Sequence, residues 1–177
     1  MERYGSTMQL TRAADYAIRV MIHLATLPAD ERALLPALAE ATDAPKSFLS
    51  KVLQGLTRAG MVGSRRGQAG GFELLPHGRL ASMRTVIEAI DGPIYLNICL
   101  MSGKSCSRKA WCPAHSCWVM AQEAMIAVLD KTMIAELAAQ TTASSTHSGA
   151  NSHPAESNAT GNHPPALHSI KNVKTRK

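Results

Sequence analysis

The sequence predicts a mainly α-helical protein with one small β-hairpin, and three observations support this prediction. Aromatic residues make up only 4% of the 177 residues while Met and Ala are plentiful, a composition that suits helices better than a β-sandwich or barrel. Apolar residues recur at helical spacing in several segments. Between them, MVGSRRGQAGGFELL is typical of two short strands around a glycine-rich turn. At 45% apolar residues, the chain can bury one core with appendages.

The first half of the chain predicts three helices in series. The apolar residues from Leu10 onward follow i, i+3, i+4 spacing, and this helix should end before Pro28. A short second helix fits LLPALAEATDA, with Pro36 near its first turn. The third, in PKSFLSKVLQGLTRAG, opens at Pro45 and stops at Gly60. A short helix, a tight turn and a polar-faced helix make a helix-turn-helix candidate.

The second half predicts two more helices. Ser82 should cap a helix that stops at Gly92, and a long helix should follow over residues 118–140. That long helix carries an apolar stripe that we expect to pack on another subunit. The stripe comprises Trp118, Gln122, Met125, Ile126, Leu129, Met133 and Leu137.

Composition divides the chain into five parts. We expect an extension over residues 1–7, a winged helix-turn-helix domain over 8–92, a cysteine-rich cluster-binding loop over 93–117, a dimerisation helix over 118–140 and a disordered tail over 141–177. The tail is rich in Ser, Thr, Asn, His and Pro and has too few large apolar residues to offset its ordering entropy. The alternative is a tail that binds a metal or DNA. The irregular spacing of the histidines in residues 141–177 favours an ordinary solvated segment instead.

Several function classes are disfavoured by the sequence. No apolar run has signal-peptide or membrane-spanning length, so we expect a cytoplasmic protein that does not enter a membrane. A Cys-dependent redox enzyme would need a C-x-x-C pair, a convincing Cys, His and Asp constellation or a glycine-rich cofactor loop, and none of these appears. We therefore predict that the protein is not an enzyme.

The third helix and the hairpin together predict DNA binding. Short polar side chains and a lysine on one helix face suit base edges and phosphate in the major groove, and arginines beside a glycine-rich turn suit a wing. A solvated helix face and a basic surface loop would explain either feature alone, but their serial order favours a winged helix. Residues 45–79 also carry six Lys or Arg against one Glu. The predicted DNA-binding residues are Ser47, Ser50, Lys51, Gln54, Arg65 and Arg66.

All four cysteines lie in the stretch CLMSGKSCSRKAWCPAHSC, residues 99–117. Six, five and four residues separate them, so no pair forms the C-x-x-C knuckle of common zinc fingers, and zinc held at another spacing is an alternative. In a reducing cytosol, clustered cysteines more often bind metal or do redox chemistry than form structural disulfides. An iron-sulfur cluster commonly takes four such ligands. The alternative is a set of reduced thiols that neither bind a metal nor take part in redox chemistry.

At this point the sequence resembles the Rrf2-type family of bacterial winged-helix regulators, which includes the iron-sulfur regulators IscR, NsrR and RirA. The resemblance runs from about Met8 to Leu137. It is carried by MQLTRAADYAIRVMIHLA, by SFLSKVLQGLTRAGMVGSRRGQAGGFEL, by EAIDGP and by the cysteine series before AVLDKTMIAEL. The wing departs from the family pattern, because it reads RGQAGGF where a Pro-Gly step is usual, and the first cysteine gap is one residue longer than in IscR.

The resemblance implies a homodimer whose long C-terminal helices cross, two winged helices that bind a palindromic promoter site on double-stranded DNA, and an iron-sulfur cluster that switches DNA affinity. The cluster would be 2Fe–2S or 4Fe–4S, and the signal would be redox state, nitric oxide or iron. Three family cysteines map onto Cys99, Cys106 and Cys112, and the fourth metal ligand varies within the family. His115 matches one subgroup, Asp15 matches another in which the partner subunit supplies it, and Cys117 is extra to the pattern.

Each fourth-ligand candidate also has a structural explanation. Asp15 suits the first turn of a helix, where a carboxylate complements the helix dipole. His115 would suit a helix start and Cys117 a packed thiol beside Trp118. We rank His115 first by its position in the loop, Asp15 second and Cys117 third. A winged-helix regulator with a thiol or zinc switch and no cluster is the alternative function.

Overall fold

The computed structural model describes residues 10–67, 70–101 and 106–147. Within these ranges the chain is mainly helical, with one antiparallel hairpin, and this confirms the predicted fold class. The elements in chain order are α1 (Arg12–Thr26), α2 (Leu35–Thr42), α3 (Lys46–Arg58), β1 (Val62–Arg65), β2 (Gly71–Leu74), α4 (Pro76–Arg79), α5 (Met83–Asp91), a single 3₁₀ turn (Ile98–Leu100), α6 (His115–Lys131) and α7 (Ile134–His147).

Helix α1 forms the centre of the core, because its apolar stripe faces the other helices. Thr11 caps its first turn by accepting a hydrogen bond from the Ala14 backbone N–H at 3.2 Å, and the helix ends before Pro28 as predicted. The helix contacts α2, α3, α5 and α7. Its buried residues are Ala14, Ala17, Ile18, Val20, Met21 and Leu24.

Helices α2 and α3 form the predicted helix-turn-helix. Asp43 takes the left-handed conformation at φ 51°, which turns the chain between the two helices. On α3, Leu49, Val52, Leu53 and Leu56 recur at helical spacing and are buried, while Phe48 on the same apolar face is 37% exposed. The expected stop also lies where predicted, because Gly60 at φ 68° reverses the chain before β1.

Strands β1 and β2 form the predicted hairpin, with Val62 opposite Leu74 and Arg65 opposite Gly71. A third segment widens this sheet at one residue pair, which the sequence did not indicate. The backbones of Ala33 and Phe72 exchange two hydrogen bonds of 2.9 Å each. The hairpin is therefore attached along β2 to the connection between α1 and α2.

The predicted helix over residues 118–140 is wrong in its extent, because the structure divides this region into α6 and α7. Thr132 leaves helical geometry, at φ −84° and ψ 103°. The break is held by backbone pairing with the start of α5: the Met83 N–H donates to the Thr132 carbonyl at 2.9 Å, and the Ile134 N–H donates to the Ala81 carbonyl at 3.0 Å. Ile134 is then fully buried in the core beside α1.

The predicted tail boundary at residue 141 is also wrong, since α7 continues to His147. Residues 148–177, the remainder of that predicted tail, lie outside the described residues, as do residues 1–9. No helix in the described part of the chain is long and apolar enough to cross a membrane.

Helix α6 differs from the other long helices because no residue along its described length is buried within the single chain. Met120 and Val128 are 63% and 65% exposed, values that a core-facing helix would not show. The whole apolar stripe predicted for this region is half-buried. Gln122, which belongs to the stripe, accepts a hydrogen bond from the Leu96 N–H at 3.0 Å and ties α6 to the segment before the cysteines.

Candidate nucleic-acid interface and metal centre

A groove of about 520 Å³ runs between α3 and the hairpin. It brings together two features that are separate in the sequence, because α3 supplies one wall and β1, β2 and the start of the hairpin turn supply the other. Four of its residues were predicted for DNA binding and four were not. The lining residues are Ser50, Gln54, Thr57, Arg58, Ser64, Arg65, Arg66 and Phe72.

Two of the four residues predicted on α3, Ser50 and Gln54, line the helix side of the groove. Ser47 and Lys51 are exposed on α3 but are not among its lining residues, and Gln54 is exposed as well. Ser50 is half-buried, and its hydroxyl donates to the Lys46 carbonyl at 3.0 Å. Because that donor is used within the helix, Ser50 offers a partner mainly its oxygen lone pairs.

The hairpin side of the groove carries the positive charge. Arg65 ends β1 and Arg66 follows it, and both side chains are exposed. Residues 68 and 69, at the turn of the hairpin, lie outside the described residues. The arrangement places two guanidinium groups beside a polar helix face, which suits a phosphate backbone on one side and base edges on the other.

Sequence reasoning missed part of this groove. Arg58 lies one helical turn after Gln54, so the phase of the polar face of α3 is the signal that could have included it. Ser64 and Phe72 are opposite each other in the strand register, and this pairing depends on the fold of the hairpin.

The hairpin is braced from behind by an ion pair. Arg32 donates two hydrogen bonds from Nη2 to the Glu73 carboxylate, at 3.0 Å to Oε1 and 2.8 Å to Oε2. Both side chains are about one quarter exposed, at 27% and 23%. Because Glu73 is the one acid among residues 45–79, the pair also neutralises the charge that would oppose phosphate next to the groove.

Replacing Arg32 by alanine is expected to weaken DNA binding and lower the thermal midpoint together. The change removes a bracing pair worth about 1 to 2 kcal/mol and leaves Glu73 unpaired behind the groove. Fluorescence anisotropy with labelled duplex and thermal unfolding would measure the two effects. The matched control is the double variant Arg32→Ala with Glu73→Gln, which also lacks the brace but has no unpaired charge, so it should regain only the part of the DNA affinity that the Glu73 charge costs. Unchanged affinity in the single variant would contradict the bracing role.

The proposed cluster ligands occupy different environments in the single chain. Cys99 is buried within the 3₁₀ turn, Cys106 and Cys112 are half-buried, and Cys117 is exposed on the first turn of α6. All four thiols are free. Residues 102–105, between the first two cysteines, lie outside the described residues.

His115 is the first residue of α6, which is the helix-start position that the sequence offered as its structural explanation. Its Nδ1 atom is buried and has no hydrogen-bond partner among the described residues. A buried imidazole nitrogen normally finds a partner, and an unpartnered one is chemically suited to bind a metal.

Asp15 is less available. It lies in the first turn of α1, is half-exposed, and pairs with Arg19 one turn later at 2.9 Å. This i,i+4 pair is the local role that the sequence offered as an alternative to metal binding.

The described residues do not assemble a metal site in this single chain, because no three His, Cys, Asp or Glu side chains among them are grouped as a metal would require. The donor chemistry nevertheless fits an iron-sulfur cluster, since free thiols and an unpartnered buried imidazole nitrogen are available within one segment.

The comparisons with known proteins agree on one family. A family model described as "Rrf2: Iron-dependent Transcriptional regulator" matches residues 10–140. A protein of Mycobacterium tuberculosis named as an HTH-type transcriptional regulator is 37% identical over 87 residues, which cover 49% of this chain and 54% of that protein. The chain thus spans about half the length of this relative.

Longer matches come from two further proteins. The HTH-type transcriptional repressor NsrR of Streptomyces coelicolor is 29% identical over 136 residues, covering 76% of this chain and 91% of that protein. Among solved structures, the oxidized form of Staphylococcus aureus CymR is 26% identical with a TM-score of 0.59, covering 74% of this chain and 96% of that chain.

Proposed function

Because the chain belongs to the Rrf2 family of iron-dependent transcriptional regulators, we propose that it is a cytoplasmic homodimer that binds a palindromic promoter site and is switched by an iron-sulfur cluster. The observation that carries the DNA-binding half is the groove between α3 and the hairpin. The observation that carries the switch is the set of free cysteines and the unpartnered His115 nitrogen, which lie in the connection from α5 to α6 and in the first turn of α6.

In this proposal α3 enters the major groove and the hairpin acts as the wing. Ser47, Ser50, Lys51 and Gln54 face base edges and phosphate from the helix. Arg65 and Arg66 approach the adjacent backbone or a narrow minor groove, where arginine is attracted by the enhanced negative potential.

The dimer in this proposal forms through α6. A helix with no buried residue and with Met120 and Val128 more than 60% exposed would leave apolar surface in water as a monomer. Pairing with a second copy would cover this surface and place two α3 helices at a fixed spacing. Half-site spacing then decides whether both can dock.

The cluster, when bound, supplies a redox- and ligand-sensitive group whose loss or oxidation changes the local charge and the cross-links between ligands. The chain's own residues do the rest. Residues 92–114, here called the cysteine segment, join α5 to α6. A change in the conformation of this segment would alter how the dimer helix α6 meets the DNA-binding domain. The proposed ligands are Cys99, Cys106, Cys112 and His115, with Asp15 and Cys117 as the alternatives for the fourth position.

A thiol or zinc switch on the same DNA-binding unit is the second candidate. It is favoured by two observations: Cys117 is exposed as a free thiol, and a CymR crystallised in an oxidized form is among the similar structures. In this version the cysteine segment has the same position between α5 and α6, but oxidation or zinc replaces the cluster.

The test is an anaerobic purification followed by the visible absorption spectrum and a count of iron and acid-labile sulfide per chain. We expect a brown protein with matching iron and sulfide, and DNA affinities that differ between loaded and cluster-free protein. A colourless protein that reconstitution cannot load would refute the cluster. Stoichiometric zinc or an oxidation-dependent affinity would then support the second candidate.

A further inference from the structure

The carboxylate of Asp91 makes two hydrogen bonds to Thr11, although 80 residues separate them in the chain. The Thr11 hydroxyl donates to Oδ1 at 2.6 Å, and the Thr11 backbone N–H donates to Oδ2 at 3.2 Å. We call this pair the Asp91–Thr11 clamp. It joins the last residue of α5 to the residue that caps α1.

The position of Asp91 is unfavourable for its own helix. A carboxylate at a helix C-terminus lies at the negative end of the helix dipole, where a basic residue is preferred. The same carboxylate faces the N-terminus of α1, where negative charge is favourable and where unpaired N–H groups need acceptors. Its location is therefore explained by α1 and by Thr11 rather than by α5.

Thr11 is also hydrogen-bonded to the first turn of α1. Its hydroxyl donates to Asp91 and accepts from the Ala14 N–H at 3.2 Å, while its carbonyl accepts from the Asp15 N–H at 3.1 Å. The backbone of the first turn of α1 is thus connected through Thr11 to the end of α5.

Each residue of the clamp is connected to an element of the proposed function: Asp91 to the segment that reaches Cys99, and Thr11 through α1 to α3. After Asp91, Gly92 at φ 79° turns the chain into the segment that reaches Cys99. Along α1, the Tyr16 ring packs edge-on against Phe48 of α3 with ring centres 5.6 Å apart. The clamp is therefore a point through which the root of the cysteine segment is connected to α3.

The opposite end of α5 is also fixed. Its first residues pair with the α6–α7 junction, and Arg84 lies 3.6 Å from Asp130 on α6. With both ends held, α5 has little freedom to absorb a movement of the cysteine segment by tilting alone.

We infer that Asp91 is a positioning residue that transmits the state of the cysteine segment to α1 and so to α3. The inference rests on the proposed function, since it concerns how that switch reaches DNA. When the segment after Gly92 rearranges, the Asp91 carboxylate moves with it, and the N-terminus of α1 follows because Thr11 holds both oxygens.

The test compares the ratio of DNA dissociation constants between two states of the full chain: cluster-free, and reconstituted anaerobically with ferrous iron and sulfide. The probe is a duplex that the wild type selects from a randomised pool. Asp91→Asn and Thr11→Val are expected to move the ratio toward one by about threefold or more. Thr11→Ser keeps the hydroxyl and should preserve the ratio. The double variant should lose no more than either single variant, because both break one contact.

Glu40→Gln is the matched control, since it removes an exposed carboxylate on α2 outside the clamp. A general charge effect on DNA binding changes both states equally and cancels in the ratio. A second readout on cluster-free protein is amide exchange of Ala14 and Asp15, which should accelerate in Asp91→Asn and not in Glu40→Gln.

The outcomes separate this inference from the function on which it rests. A wild-type ratio of one refutes the switch and the clamp's role together. A wild-type ratio far from one that Asp91→Asn leaves unchanged refutes only the clamp. If Asp91→Asn does not fold, Thr11→Val decides by the same ratio. Multiplicative losses in the double variant would also overturn the inference, because they would mean that the two residues act separately.

Discussion

Replacing Cys112 by serine is expected to give a folded chain that retains no iron-sulfur cluster after anaerobic reconstitution. A serine hydroxyl stays protonated near neutral pH and is a far weaker ligand for iron than a thiolate, so the set of ligands falls short. Visible absorption, with iron and sulfide counted per chain, measures the loss. The cluster-dependent difference in DNA affinity should disappear with it.

Cys112 is a cleaner test than Cys99, because Cys99 is only 8% exposed and its replacement would also disturb packing in the 3₁₀ turn. The matched control is Cys117→Ser, at an exposed position five residues later, which should load normally. Thermal unfolding of the cluster-free proteins checks that both variants fold. Normal loading of Cys112→Ser together with failure of Cys117→Ser would show that the ligand assignment is wrong.

The sequence correctly predicted the ends of helices that are set by a capping residue, a glycine or a proline. Ser82 accepts the Thr85 N–H at 3.2 Å and Gly92 ends the helix, so α5 begins and stops where its capping residues indicate. The same holds for α1, which ends before Pro28. These helix ends depend on residues within one or two turns of each other, so they can be predicted from a short stretch of sequence.

The break between α6 and α7 was missed because its cause is not local. Apolar residues continue at helical spacing through Thr132 and Met133, so the pattern alone favours one helix. The chain leaves helical geometry there because residues 132–134 pair with residues 81–83, about 50 positions earlier in the sequence. The pairing of Ala33 with Phe72 was missed for the same reason.

The two halves of the candidate site differ in how far the sequence anticipated them. The residues of α3 and the hairpin were predicted from the helix phase and from the basic turn, and the fold places Ser50, Gln54, Arg65 and Arg66 around one groove. The spacing of the cysteines says which residues lie near each other in the chain, but a loop without a regular period does not determine their separation in space. The Asp91–Thr11 clamp could not be predicted from the sequence either, because its two residues come into contact only when α1 and α5 pack together.

Replacing Arg66 by alanine is expected to cost about 1 to 3 kcal/mol of specific DNA binding, which is about a 5- to 150-fold rise in the dissociation constant. In the proposed complex Arg66 approaches the DNA backbone or a narrow minor groove. Its side chain is exposed and lines the α3–hairpin groove. Measured at several salt concentrations, the loss should be larger for the specific site than for unrelated duplex. A loss that is equal for all sequences, with a salt slope lower by about one, would instead identify Arg66 as a phosphate contact.

Two further variants make this prediction sharper. Arg66→Lys keeps the charge but not the planar guanidinium, so it should restore binding to unrelated duplex more than binding to the specific site. Arg12→Ala removes an exposed positive charge from α1 that does not line the groove, and it reports the effect of net charge alone. If Arg66→Ala and Arg12→Ala weaken binding equally, the groove is not where this protein discriminates its DNA site. If only Arg66→Ala loses specificity, the wing contributes to recognition as well as to attraction, and the spacing between α3 and the hairpin becomes part of what the switch must control.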